Sequence, residues 1–248
     1  MSDCCLKGFQ WEAKPNGRSN TVAGLDCYIS GSNDDAAVII VHDLFGWTLD
    51  NIRILANHLA QDIDAIVYVP DCFGEEIVPT GILSDKSRAG EFDLGAFLNR
   101  NSKALRKPEL VKFAESFRSS FSRIGAVFNL EAKGQNLVDC ISTAHPSLLE
   151  KEEIAHIGVP TQILAPEFDH VFTPELKAYT LEVLPKTGVA YAYQYFSGLE
   201  HDFAIRGDEG KTRREGGYGK SQKCSISLVS TVASSGLIDK YWTRCDGS

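Results

Sequence analysis

Ala36 to Val41 (Ala-Ala-Val-Ile-Ile-Val) is a continuous run of apolar, mostly β-branched residues. Such a run is how a strand buried on both faces of a parallel sheet reads. Behind it, Ile52, Leu55, Ala56, Leu59 and Ala60 fall at helical spacing within Asp50 to Gln61, with Asp50 placed to cap. Ala65 to Val69 (Ala-Ile-Val-Tyr-Val) is a second buried strand, closed by Pro70-Asp71. Strand, helix, strand is a βαβ unit, and a chain built on one is bound to an α/β architecture with a mostly parallel sheet flanked by helices.

The rest of the chain extends that pattern. Gly24 to Ser30 alternates like an early, half-exposed strand, and Gly31 to Asp35 is a turn cluster. Cys72 to Arg106 is dotted with glycines and reads as an insertion or lid over the C-terminal edge of the sheet. Pro108 to Phe121 is expected as a helix with Pro108 in its first turn. Ile124 to Val127 and Leu137 to Ser142 are short strands, and Val159 to Ala165 is a longer buried one. Thr173-Pro-Glu starts a helix, and Val189 to Phe196 is a further strand followed by the loop Gly198 to Phe203. From Gly207 onward the chain is charged and glycine-rich with little apolar pattern. The expected division is an α/β domain over 1–207 and an atypical tail over 208–248, within a length of 248 residues that suits one large domain.

Composition narrows the partners. The formal net charge is −8 and no Lys/Arg-rich run marks a phosphate-tracking surface, so nucleic acid is not an expected partner. No segment approaches a membrane span, and Met1 to Gln10 lacks the apolar core of a signal peptide. Seven cysteines at 4, 5, 27, 72, 140, 224 and 245 match neither a disulfide framework nor a zinc site. Free thiols in a reducing compartment, the cytosol, are the expectation.

In open parallel sheets, sites lie beyond the C-terminal ends of the strands. Three such loops carry the chemistry-bearing residues: His42-Asp43-Leu44, Glu167-Phe168-Asp169-His170 and Glu200-His201-Asp202. An acid followed by a histidine, each after a late strand, is the order of the second and third members of a hydrolase triad. His145 and His42 with Asp43 are an alternative metal set, but no HExxH-type spacing supports it, and a structural role is the expectation.

Five motifs carry a resemblance. They are Cys4-Cys-Leu-Lys-Gly-Phe9, His42-Asp-Leu-Phe-Gly-Trp47, Ile141-Ser-Thr-Ala-His-Pro-Ser147, Ile163-Leu-Ala-Pro-Glu-Phe-Asp169 and Tyr195-Phe-Ser-Gly-Leu-Glu-His-Asp-Phe203. In this order they resemble the fungal branch of the dienelactone hydrolase family, of the α/β-hydrolase superfamily, from about residue 4 to about residue 207. The resemblance implies opening of a lactone or small ester by a Cys-His-Asp triad, in catabolic or secondary metabolism, with no metal or organic cofactor. It implies Asp169 as triad acid and His201 as base. It further implies Asp43 as the acid facing the thiol, the Leu44 N–H as an oxyanion donor, and Arg206 as a contact for a substrate carboxylate.

One stretch departs from the family. Its nucleophile sits in Gly-x-Cys-x-Gly after the strand here ending at Val127, yet Arg123 to Gly134 contains no Ser, Cys or Thr, and no two glycines in the chain are four apart. Phe128 to Asn136 leaves nine residues to cross to a strand at Leu137, fewer than a helical crossover needs. A truncated crossover after residue 127 is the expectation, and with it an irregular or poorly packed segment. Two functional readings stay open: a hydrolase, or a pseudoenzyme or binding protein on the same fold. Cys72 and Cys140, near strand ends, are candidate substitute nucleophiles, against the plainer reading of small buried hydrophobes.

Overall fold

The computed structural model describes residues 11–127 and 137–206. Eight strands form one sheet: β1 (Arg18–Val22), β2 (Leu25–Ser30), β3 (Ala36–Ile40), β4 (Ile66–Pro70), β5 (Arg123–Val127), β6 (Cys140–Ala144), β7 (Thr161–Phe168) and β8 (Tyr191–Glu200), in the order β1-β2-β4-β3-β5-β6-β7-β8. The β1–β2 and β2–β4 pairs are antiparallel; all pairs from β4 to β8 are parallel. The antiparallel edge strand β1 carries a mostly exposed Arg-Ser-Asn-Thr-Val segment, too polar to signal a strand by composition.

Every residue of β3 and β4 is buried, as their continuous apolar runs require. Alternate side chains divide the core in two. Ala37, Ile39, Ile66 and Tyr68 face a layer with Phe113, Phe117 and Ile141, while Ala36, Val38, Ile40, Val67 and Val69 face Ile52, Leu55 and Leu59. The latter three belong to α1 (Asp50–Ile63). Asp50 is not its cap. Leu49 holds the cap position, and Asp50 lies in the first turn, where a negative charge meets the positive end of the helix dipole. Asp64 ends the helix in the left-handed conformation (φ 49°), its N–H on the Ala60 carbonyl.

The expected lid, Cys72 to Arg106, folds as short helices: α2 (Gly81–Ser84), a 3-10 helix (Lys86–Glu91) and α3 (Leu94–Arg100). The next helix, α4 (Lys103–Glu115), starts five residues before the expected Pro108. Lys103 to Lys107 are good helix formers, and an interior proline removes one N–H without ending the helix here. The expected helical end is displaced as well. Phe117 and Phe121 lie in the turns beyond α4 and still pack on Tyr68, with ring centroids 4.6 and 6.1 Å away.

β5 and β6 are parallel neighbours, with Gly125 opposite Cys140 and Val127 opposite Ser142. β6 begins at Cys140 rather than at the expected Leu137. Leu137 and Val138 are buried in the core ahead of it, and Asp139 bonds both the N–H and the C=O of Ile124. The crossover therefore has twelve residues, 128–139, instead of nine. That is the length a parallel connection requires. The expected irregular packing falls on 128–136, outside the described residues, as does the tail over 208–248.

Two short helices and one long one complete the frame: α5 (Lys151–Ala155), α6 (Pro174–Thr187) and α7 (Phe203–Arg206). Thr173 caps α6 as expected, its hydroxyl accepting the Leu176 N–H, with Pro174 at the first helical position. β8 runs on to Glu200, and α7 follows His201-Asp202, so the expected loop Gly198 to Phe203 is mostly strand and helix.

Candidate active site

The C-terminal ends of β3, β6, β7 and β8 open into one cavity of about 670 Å³. Its walls are largely apolar, with Leu98, Leu110, Phe73 and Phe97 among them, and Asp43, Leu44, Ser147, His201 and Asp202 lie along its lining. A pocket with a few convergent polar groups in apolar walls is the usual form of a small-molecule site.

Asp169 and His201 meet here. His201 Nδ1 lies 2.8 Å from Asp169 Oδ2, and both side chains are almost wholly buried. Asp169 follows β7 and His201 follows β8, neighbouring parallel strands whose ends lie side by side. The backbone fixes the pair: the His201 N–H donates to the Phe168 carbonyl at 2.9 Å. Side chains lock the same loops. Glu167 accepts from the Ser197 hydroxyl and the Gly198 N–H, and buried Lys177 donates to the carbonyls of Pro166 and Glu167. The other Asp169 oxygen accepts the N–H groups of Val171 and Phe172.

The electrostatics follow. Burial alone would pull the His201 imidazole down, but its hydrogen bond to Asp169 and the charges of Asp202 and Asp169 outweigh burial, and the net shift is upward. Burial would raise Asp169; the His201 bond and charge, with the Phe172 and Val171 N–H groups, bring it below its ordinary value. Burial pushes Asp202 up to about 6, against the pull of Arg206 and His201.

Asp43 and Arg206 also come together. Arg206 Nε donates to Asp43 Oδ2 at 2.8 Å, its NH2 lies 2.7 Å from Asp202 Oδ1, and its guanidinium stacks 4.6 Å from the centre of the Phe45 ring. The Arg206 side chain is 1% exposed. It thus joins the first loop to the last and already answers two carboxylates. Asp43 also holds its own loop: Oδ1 accepts the Phe45 N–H and its carbonyl accepts that of Gly46. The Leu44 carbonyl accepts from Val78, and the Leu44 N–H meets no acceptor among the described residues.

His42 and His145 do not join Asp43 in the alternative metal set. His42 Nδ1 is 2.7 Å from the Asp43 carbonyl and Nε2 accepts the Cys72 N–H at 3.0 Å, so both ring nitrogens are engaged. Burial lowers its pKa, consistent with the neutral ring those bonds require. A different trio, His145, His201 and Asp202, places ligand atoms within 4.8 Å of one another. Arg206 already puts a positive charge against Asp202 there, and a dication would have to sit beside it.

Cys72 and Cys140 are free and buried. Cys72 reaches the cavity wall, but its Sγ donates to the Pro70 carbonyl at 3.3 Å, and burial pushes the thiol up. Burial pushes Cys140 up to about 12. Neither has the depressed thiol of a reactive cysteine.

Sequence reasoning passed over Ser147, which was read only as part of the Ile141 to Ser147 motif. Its Oγ lies 3.2 Å from His201 Nε2, across 54 residues of sequence. No nucleophile pattern such as Gly-x-Ser-x-Gly surrounds it, and Ser-His-Asp constellations are recognised by geometry and not by position. Two features would have pointed there: the motif itself, and its location just past a buried strand on the site side of the sheet.

A parallel sheet that presents an acid–histidine pair at the ends of two late strands, above an apolar pocket, is the arrangement of an α/β-hydrolase. The comparisons narrow that class. A model described as "Dienelactone hydrolase family" matches residues 25–226. The chain is 28% identical over 225 residues to the hydrolase tropI of Talaromyces stipitatus, covering 83% of this chain and 86% of the relative. It is 26% identical over 240 residues to the hydrolase pyvD of Aspergillus violaceofuscus, covering 92% and 94%. The dienelactone hydrolase of Anabaena variabilis superposes with a TM-score of 0.54 at 11% identity, over 88% of this chain and 95% of that one, which supports the fold. The protein belongs to the dienelactone hydrolase family. No helix among the described residues is long and apolar enough to cross a membrane.

Proposed function

We propose that this chain hydrolyses a lactone or small ester, with His201 as general base and Asp169 as the acid that orients it. The observation that carries the reading is the 2.8 Å Asp169–His201 bond at the cavity lined by His201. Asp169 fixes the proton on Nδ1, which leaves Nε2 to take a proton from an attacking group and return it to the leaving group. The Leu44 N–H, on a loop pinned by Asp43, is suited to receive the developing oxyanion. Arg206 is assigned to holding Asp43 and Asp202 in place. Carboxylate binding is the role its geometry favours least, because a substrate would compete with two buried carboxylates. The largely apolar pocket suits a small hydrophobic acyl substrate. The free, buried Cys27, Cys72 and Cys140 support a reducing, cytosolic setting.

The second reading is a non-catalytic member of the family. The absence of Ser, Cys and Thr from Arg123 to Gly134, where the resemblance to the family implies the nucleophile, favours it. Hydrolysis of p-nitrophenyl acetate and of a dienelactone by the full chain, measured beside His201→Ala, separates the two. Turnover lost in the variant supports the hydrolase; turnover no faster than buffer in the parent establishes the pseudoenzyme.

A further inference from the structure

The turn after β6 carries a group the family's usual arrangement does not use. His145 (φ 40°) and Leu148 (φ 56°) both hold left-handed backbone, an arrangement that costs a non-glycine residue energy. The chain bends at His145, Ser147 and Leu148 before α5 begins at Lys151. A strained turn at the C-terminal end of a buried central strand is how a nucleophile elbow presents its side chain. Here that turn lies one strand further along than β5, and β5 and β6 are paired neighbours.

Three facts single out the residue at its tip. Ser147 is only partly buried and lines the cavity. Its Oγ is 3.2 Å from His201 Nε2 while Nδ1 of the same ring is 2.8 Å from Asp169; the other group at Nε2 is Asp202 Oδ1 at 3.3 Å, a carboxylate that Arg206 holds. Among the described residues it is the hydroxyl that reaches His201; the cavity's Cys72 thiol is turned to the Pro70 carbonyl instead.

We propose that Ser147 is the nucleophile of this chain, completing a Ser147–His201–Asp169 triad from a turn that the β5 elbow normally leaves out of the chemistry. The inference rests on the hydrolase reading above.

The step balances with water as the only co-reactant. The Oγ–H proton passes to His201 Nε2 as Oγ bonds the acyl carbon and the carbonyl π pair moves onto its oxygen. Collapse of that oxyanion breaks the bond to the leaving oxygen, which takes the proton from Nε2; in a lactone it stays attached as a hydroxyl. Water then repeats the sequence. His201 takes its proton, hydroxide adds to the acyl carbon, and collapse expels Oγ, which recovers the proton.

A fluorophosphonate tests the nucleophile without requiring turnover. Attack forms the Oγ–P bond and expels fluoride. The full chain is incubated with the probe at pH 8, digested, and the modified peptide located by mass spectrometry, alongside p-nitrophenyl acetate hydrolysis. The expected result is a phosphonyl adduct on Ser147, slowed about 100-fold or more in His201→Ala, with hydrolysis reduced at least about 1000-fold in Ser147→Ala. An adduct absent from Ser147 overturns the proposal, as does Ser147→Ala hydrolysing at the parent rate. Hydrolysis that is lost in His201→Ala but kept in Ser147→Ala retains the hydrolase reading and removes Ser147 from it. An adduct on Ser147 without turnover retains the nucleophile and removes the hydrolase. Ser147→Cys guards against misfolding of the alanine variant. Its thiol should react with iodoacetamide faster than a free peptide thiol and lose that advantage in combination with His201→Ala; a rate no faster than the peptide overturns the proposal.

Discussion

His201 meets Asp169 at Nδ1 and both Ser147 and Asp202 at Nε2, and its behaviour with pH follows from them. As the proposed base it must be neutral, and its ionisation is shifted upward, so hydrolysis should fall about tenfold per pH unit below a limb lying above pH 6.5. Asp169→Asn removes the carboxylate that fixes the tautomer and stabilises the imidazolium. It should lower turnover by about 10⁴-fold and move the limb to lower pH; a pH–rate profile measures both. Stability carries the same signature. A histidine raised in the folded state contributes stability that is complete below its unfolded value, near 6.5, and is lost as pH rises through the folded value. Asp202, raised to about 6, adds to the loss in the same direction, while Asp169, lowered, gives stability that vanishes only as pH falls below the usual carboxylate range. Buried His42 and His145, both lowered by burial, act in the opposite sense, so the share of His201 is read from its variant: relative to the parent, the difference in urea midpoint between pH 5.5 and pH 8 should move in favour of pH 8 in His201→Gln. An unchanged difference would show that His201 is not shifted by folding.

At the scale of elements, the site depends on how β7 and β8 end. Lys177 reaches from α6 to the carbonyls of Pro166 and Glu167, two residues ahead of Asp169. Lys177→Met leaves both carbonyls without their charged donor, at a cost of about 2 kcal/mol, or roughly 4–8 °C in Tm for a domain of this size. Thermal unfolding measures that loss, and hydrolysis should fall with it because the Asp169 loop loosens. Most of these elements were legible beforehand. Thr173-Pro174 announced α6, and the apolar runs announced β3, β4 and β7, because burial on both faces leaves a plain mark in composition. β1 leaves no mark because an exposed edge strand needs no apolar pattern, and α4 begins ahead of Pro108 because a proline that suits a first turn also fits inside this helix. The β5–β6 crossover is three residues longer than the apolar pattern implies. Leu137 and Val138 read as strand because they are buried, but they enter the core before the ladder begins at Cys140.

Over the whole molecule, Arg206 ties the last described helix to the loop after β3, across 163 residues of sequence. Arg206→Met would leave Asp43 and Asp202 facing each other without a counter-charge. We expect a loss of about 3–5 kcal/mol, read as a drop of roughly 6–20 °C in Tm; a change below 2 °C would mean that the two carboxylates find protons or water in its place. The sequence by itself determined the architecture, the family and the pairing of Asp169 with His201, since each is written in local pattern or motif order. The tertiary structure alone decided what stands opposite His201 Nε2. Gly-x-Cys-x-Gly is a local signal, and its absence after Val127 could be read directly. Ser147 carries no such signal, because its relation to His201 exists only once parallel neighbours β6, β7 and β8 bring their C-terminal ends to one edge of the sheet.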